Sequence, residues 1–94
     1  MSVSAEVGQH ATTVHVRFFA SARAAAGVES ELLSLPAGSR VTDALAELRD
    51  RHPEGLPKVL EVSSYLLDGV AVRDVDNPLP DGAELDVLPP FAGG

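Results

Sequence analysis

The C-terminal end of this 94-residue sequence carries the group with the clearest chemical potential. Gly93 and Gly94 have no Cβ, so this end could enter a channel too narrow for other dipeptides. The Gly94 carboxylate would then be the reacting group. A carboxylate is ionised at neutral pH and is a poor electrophile, so it must be activated before a nucleophile can attack it. The sequence therefore predicts a terminus that other proteins modify, and the alternative is a frayed end without a function.

The other reactive side chains do not form a recognisable site. The chain has no cysteine, so any thiol chemistry requires a partner's cysteine. It has no glycine-rich phosphate loop, so a nucleotide must be held by another protein. The three histidines lack metal-ligand spacing, and the loop with Asp74, Asp76 and Asp81 is typical of turns rather than of a calcium site. We therefore expect this chain to bind no cofactor and no metal.

The charge balance restricts the kind of partner. Fourteen acidic residues against seven basic ones give a net charge of −7. This balance argues against binding to a phosphate backbone and favours a partner with a basic face, although it could serve solubility alone. The sequence has no apolar run long enough to span a membrane and no targeting segment at its start. We expect no nucleic acid or membrane partner and a cytoplasmic location.

Two prolines separate the last predicted strand from the chain end. Apolar and polar residues alternate over 84–88, which is the period of a half-buried strand. Pro89 and Pro90 cannot donate to a sheet ladder and favour extended backbone, so the strand must end there. We expect residues 89–94 to form an extended tail that reaches roughly 20 Å. At the other end, the small and polar residues 1–12 predict a flexible leader.

The tail itself is a candidate partner-binding segment, formed by Pro89, Pro90, Phe91 and Ala92 ahead of the two glycines. An exposed aromatic ring such as that of Phe91 is well suited to anchor the segment in a partner's groove. The alternative is that Phe91 folds back onto an apolar edge of its own domain.

A pair of adjacent aromatic residues ends the first predicted strand. Side chains alternate between the two faces of a strand, so Phe18 and Phe19 cannot both enter one core. One of them must lie on the other face, either covered by a loop or as part of an apolar patch for a partner. We favour Phe19 as the partner-binding residue.

The periodicity along the chain predicts a small α+β domain over residues 13–88. Turn residues punctuate it, with Asp68-Gly69 as a strong hairpin signal. The order suits the β-grasp, ubiquitin-like plan: a mixed sheet of four to five strands on one main helix, with the first and last strands parallel at its centre. The segments are strands at 13–20, 29–35, 64–67, 70–72 and 84–88; a helical turn at 21–26 with Ser21 as N-cap and Gly27 as its left-handed end; a helix at 42–52 with Thr42 as N-cap; and, at 56–62, a short helix or an irregular connection.

Three stretches resemble the small subunit of molybdopterin synthase, within the wider family of ubiquitin-like sulfur carriers. The resemblance runs from about residue 13 to the end of the chain, and its most specific part is the Leu-Pro-Pro-Phe-Ala-Gly-Gly ending. Such proteins often have Gly-Asp-Glu where this chain has Gly82-Ala83-Glu84, and Asn-Gly where it has Asp68-Gly69. The three stretches are 16–27, 35–45 and 81–94.

This resemblance implies a carrier role for the tail. A ubiquitin-activating-type adenylyltransferase would use ATP to adenylate Gly94, and a sulfur donor protein would displace AMP and leave a thiocarboxylate. The tail would then enter the large synthase subunit and give its sulfur to a pterin precursor of the molybdenum cofactor. The chain would thus be a non-catalytic, sulfur-donating subunit of an enzyme complex.

Other functions remain compatible with the same ending. The chain could carry sulfur for thiamine or cysteine biosynthesis. It could also be a ubiquitin-like modifier joined through Gly94 to lysines, or a binding module whose ending is incidental.

Overall fold

The computed structural model describes residues 11–90. Within this range the chain forms a five-stranded sheet and three helices. The strands are β1 (Ala11–Phe18), β2 (Ser30–Pro36), β3 (Ser64–Leu67), β4 (Val70–Ala71) and β5 (Ala83–Leu88), and the helices are α1 (Ser21–Ala26), α2 (Val41–Arg51) and α3 (Leu56–Val62).

The sheet has the strand order β2-β1-β5-β3-β4, with β5 at its centre. β1 is antiparallel to β2 and parallel to β5, while β3 is antiparallel to both β4 and β5. Parallel neighbours need a long crossover, and the segment from β2 to β4 supplies it. The predicted parallel pairing of the first and last strands is confirmed.

Alternation along the central strands creates the core. Val14 and Val16 of β1 and Leu85 and Val87 of β5 are completely buried against the helices. The opposite face of the sheet, called the open face below, carries exposed and half-exposed side chains, apart from Asp86, which is buried. The helices and the loop before β5 complete the core with Ala22, Val41, Ala44, Leu45, Leu48, Leu56, Leu60 and Leu79.

The N-terminal boundary of the domain differs from the predicted one. β1 begins at Ala11, which pairs with Pro36, and Thr12 is buried. The predicted leader of residues 1–12 therefore extends too far, because hydrogen bonding to β2 draws two small or polar residues into the sheet. Residues 1–10 lie outside the described part of the chain.

The predicted N-cap residues of two helices are also wrong. Ser21 and Thr42 lie inside their helices, and the capping positions are Ala20 and Arg40. At α2 the backbone N–H of Arg40 donates to Asp43 Oδ2 at 2.8 Å. The first-turn acid therefore supplies the stabilising contact, in place of a hydroxyl.

The structure contains the predicted hairpin, and it shows which of the two alternatives holds for residues 56–62. Asp68 and Gly69 take positive φ angles of 49° and 85°, as a two-residue hairpin requires. The segment before it is helical, because Leu56 and Leu60 face the core one turn apart. The predicted α+β, β-grasp plan with a mixed sheet is confirmed.

Candidate functional site

The predicted tail follows directly on β5, the central strand of the sheet. β5 pairs with β1 on one side and β3 on the other, and Leu85 and Val87 are fully buried. The strand ends at Leu88 and the two prolines follow directly, Pro89 half-buried and Pro90 exposed. The root of the tail is thus fixed in position. The predicted site residues Phe91, Ala92, Gly93 and Gly94 lie outside the described residues.

The two adjacent phenylalanines lie in different environments. Phe18 is 2% exposed in the core, whereas Phe19 is half-buried. The N–H of Phe19 donates to the carbonyl of Val87 at 3.3 Å, so the ladder between β1 and β5 extends past the end of β1. Phe19 therefore lies beside the strand end from which the tail departs. The prediction that one ring is core is confirmed, while partner binding by Phe19 stays a prediction.

Two leucines that sequence reasoning missed lie on the open face, Leu88 at the end of β5 beside Phe19 and Leu66 on the next strand, β3. In the register of β3 and β5, Leu66 is opposite Asp86 and Ser64 is opposite Leu88. Leu66 and Leu88 are consequently diagonal neighbours on one face, and both are half-buried. Phe19, Leu66 and Leu88 are called the tail-base patch below. The period-two alternation of a strand could have indicated on which face of the sheet each leucine lies. The register that brings these residues together is not visible in the sequence.

A row of charged side chains continues the open face away from this patch. Arg17 Nε lies 2.8 Å from Asp86 Oδ1 and 3.2 Å from Glu84 Oε2. His15 Nδ1 lies 3.7 Å from the same Glu84 oxygen. The hydrogen bond to Asp86, assisted by the charges of both carboxylates and partly opposed by desolvation, raises the pKa of Arg17 above its usual value. The guanidinium therefore remains charged under all relevant conditions.

Arg17 also connects this charged row to the tail-base patch. Its guanidinium carbon lies 5.5 Å from the centre of the Phe19 ring, a cation–π distance. A surface depression of about 210 Å³ opens beside this contact, between the end of β1 and the start of β2. It is smaller than ordinary cofactor pockets. Its lining residues are Arg17, Phe18, Phe19, Arg23, Glu29 and Ser30.

The acidic loop before β5 has structural contacts. Asp74 Oδ1 accepts a hydrogen bond from the N–H of Asp76 at 2.9 Å, and Asp81 Oδ1 accepts one from the N–H of Thr13 at 2.8 Å. Within residues 11–90 no three His, Asp or Glu side chains are arranged to hold a metal ion. In the same range, no helix has the length and apolar character needed to cross a membrane.

The chain is similar to known proteins over nearly all of its described length. It matches the ThiS family over residues 16–94. The molybdopterin synthase sulfur carrier subunit of Chlamydomonas reinhardtii is 34% identical over 82 residues, which are 86% of this chain and 98% of that protein.

Solved structures share the fold as well. The small archaeal modifier protein 1 of Methanosarcina acetivorans has 30% identity and a TM-score of 0.77, with 90% of this chain and 99% of that one covered. A chain in the complex of subunits 1 and 2 of the molybdopterin-converting factor of Helicobacter pylori has 28% identity and a TM-score of 0.65, with 88% and 100% covered. With its β-grasp sheet, its anchored last strand and its Gly-Gly ending, this chain belongs to the ThiS family.

Proposed function

We propose that this protein is the sulfur carrier subunit of a molybdopterin synthase. The observation that carries the proposal is the direct passage from the central strand β5, through Pro89-Pro90, to a Gly-Gly end. The Chlamydomonas relative, whose name states this function, aligns with this chain over 98% of its own length. The fold gives the carrier a rigid root, and the absence of a thiol assigns the sulfur chemistry to partners.

The proposed reaction has two activation steps. A carboxylate oxygen of Gly94 attacks the α-phosphate of ATP on an adenylyltransferase, and pyrophosphate leaves. A sulfide equivalent from a sulfur donor then attacks the acyl carbon, and AMP departs with the electron pair of the C–O bond. The product is a Gly94 thiocarboxylate, whose sulfur is a good nucleophile toward a pterin precursor.

In this proposal the tail-base patch is part of the contact with the large subunit. Half-buried aromatic and aliphatic side chains at the root of an inserted tail can bury further apolar area on docking. The Helicobacter complex, which contains subunits 1 and 2, supports a large subunit as the partner. Pro89, Pro90, Phe91 and Ala92 would extend the same contact into the partner's channel.

Intact-mass analysis tests the carrier role. The protein is incubated with ATP, a matching adenylyltransferase and sulfide, and we expect one oxygen of Gly94 to be exchanged for sulfur. Gly93→Leu should abolish the exchange while its circular dichroism stays that of the folded domain, because a side chain at this position blocks a narrow channel. A mass that stays unchanged for the original sequence would refute the carrier role.

Two other functions have specific support. The ThiS family match allows sulfur delivery to a thiamine precursor, and the similarity to an archaeal modifier protein allows attachment to lysines. Co-purification with a molybdopterin synthase large subunit would favour the proposed role. Isopeptide-linked products that disappear when Gly94 is deleted would instead favour the modifier.

A further inference from the structure

Asp86 is a buried carboxylate on the open face of the sheet. It is 5% exposed, and it lies two residues before the end of β5. A charged side chain is rarely buried without a partner, because removing it from water is costly. Its partner is the guanidinium of Arg17, which donates from Nε to Oδ1 at 2.8 Å and from Nη2 to Oδ2 at 2.9 Å.

This two-bond contact fixes the plane of the guanidinium. A fork of two parallel N–H···O bonds restricts rotation of the Arg17 head group far more than a single bond would. The same head group lies 5.5 Å from the centre of the Phe19 ring. The orientation of Asp86 is therefore transmitted to the aromatic ring at the root of the tail.

The pair is not needed to bring β1 and β5 together. The two strands already pair over five positions, from Val14 opposite Ala83 to Phe18 opposite Val87. The core face of both strands is also fully packed. The pair of Arg17 and Asp86 on the open face thus orders side chains at a place where the backbone is already held by strand pairing.

We propose that Asp86 is a positioning residue for docking of the large subunit. Through its hydrogen bonds to Arg17, Asp86 holds the Phe19 ring in the orientation that binds the partner. The inference rests on the proposed function, since it assigns Phe19 to the partner contact. A ring that is already in place loses less conformational freedom on binding than one that must first be ordered. The aspartate would then increase affinity without touching the partner.

The first experiment uses the isolated chain and requires no partner. In NMR spectra the Cδ proton signals of Arg17, which take no part in its hydrogen bonds, are expected to be shifted by the ring current of Phe19. A Phe19→Leu variant defines the signal without a ring. In Asp86→Asn we expect the Arg17 signal to move toward the Phe19→Leu position, because the hydrogen bond from Nη2 and the charge of Asp86 are lost, while Glu84 Oε2, 3.2 Å from Nε, holds the head group by a single contact. An unchanged signal in Asp86→Asn would overturn the inference.

The second experiment measures the dissociation constant for a purified molybdopterin synthase large subunit by calorimetry. We expect Asp86→Asn and Arg17→Lys each to weaken binding roughly fivefold, the scale of an exposed cation–π contact. Glu47→Gln is the matched control. It removes one negative charge from a paired carboxylate on α2, away from the open face, and should leave the affinity unchanged.

An exchanged pair separates positioning from stability. In Arg17→Asp/Asp86→Arg the ion pair can form again, but its guanidinium now starts from β5. We expect the melting temperature to recover relative to Asp86→Asn while the affinity does not. Recovery of both would mean that the pair acts only on stability and would overturn the inference.

Failure of the proposed function can be distinguished from failure of the inference. If the original sequence does not bind the large subunit, the proposed function fails, and the docking role of Asp86 fails with it. The NMR comparison still decides whether Asp86 orders Phe19. If the original sequence binds and Asp86→Asn binds equally well, only the inference is overturned.

Discussion

At the scale of single residues, Phe18 and Phe19 have the same chemistry but different surroundings. Phe18 contacts the core and meets the ring of His52 edge-on at 6.0 Å, whereas Phe19 lies half-buried beneath Arg17 at the tail base. Alternation along the strand predicts that the two rings point to opposite faces. It does not predict that the outer ring has a guanidinium partner. The two positions should therefore respond very differently to the same substitution.

We expect Phe18→Ala to cost about 3–5 kcal/mol of unfolding free energy, because it leaves a cavity in the core. Phe19→Ala should cost less than about 1.5 kcal/mol, since its ring is half-exposed. Urea unfolding followed by circular dichroism measures both. Similar losses in the two variants would show that Phe19 is also a core residue.

Tyr65 is a second residue whose environment determines its behaviour. It is the single tyrosine of the chain, it packs against the core, and its hydroxyl donates to the carbonyl of Leu60 at 2.5 Å. Burial raises the pKa of Tyr65, and the charge of Arg49 partly opposes this effect. The phenol therefore keeps its proton in the folded domain at a pH where the unfolded chain has begun to lose it.

This shift predicts a loss of stability at alkaline pH. Unfolded tyrosine ionises near its ordinary pKa of about 10, so the contribution is complete below that pH and decreases as the pH rises toward the folded pKa. Tyr65→Phe should show a smaller decrease in this range, because the group that titrates is absent. The check is urea unfolding of both proteins at several pH values, with tyrosinate absorbance to follow ionisation. Parallel pH profiles for the two proteins would contradict the shift.

At the scale of elements, the junction of β1 and α1 shows where local rules fail. Ala20 links the strand to the helix with φ 51° and ψ −127°, a conformation that a residue with a Cβ rarely adopts. The sequence predicts Ser21 as the capping residue, but the helix already includes it. The strained turn is required because Phe19 still follows the ladder of β5 while Ala22 is already buried in the core.

Glycine should relieve this strain. We expect Ala20→Gly to stabilise the domain by about 1 kcal/mol. This value is the strain energy that glycine releases minus the cost of the greater conformational entropy of the unfolded chain. The matched control is Ala24→Gly, an equally exposed position within α1, which should destabilise by about 0.5–1 kcal/mol. Thermal melts of the two variants give the comparison. Destabilisation by both would mean that Ala20 is not strained.

At the scale of the whole molecule, the strand that precedes the predicted tail lies at the centre of the sheet. The central position of β5 depends on contacts between residues that are distant in sequence. β5 pairs with β1, which is its neighbour in the sheet but lies at the other end of the domain's sequence. Pro89 and Pro90 follow without forming part of a strand. The domain boundary predicted at residue 88 coincides with the end of β5, whereas the extended form of residues 89–94 stays a prediction.

Truncation tests whether the tail contributes to the fold. Ending the chain after Leu88 should change the melting temperature by no more than a few degrees, because the core and the sheet remain complete. Ending it after Asp86 removes the fully buried Val87 and its pairing with Phe18 and Tyr65. This deletion should cost at least about 2 kcal/mol, or roughly 10 °C. A large loss already in the first truncation would make the tail structural.

The sequence alone determined the features that depend on near neighbours. Period-two alternation indicates β1 and β5, Asp68-Gly69 the hairpin, and Pro89-Pro90 the end of the sheet. These predictions hold because alternation, turn conformation and the missing proline N–H are properties of a few consecutive residues.

The tertiary structure decided which distant residues meet. Arg17 and Asp86 are separated by 69 positions, and their contact follows from the register of two strands that the packed core holds in place. The register of β1 and β5 places Leu88 beside Phe19, and the register of β3 and β5 places Leu66 diagonally across from Leu88. Register is a property of the whole assembled core. The Gly-Gly end can therefore be recognised in the sequence, while the surface around the end of β5 emerges only from the fold.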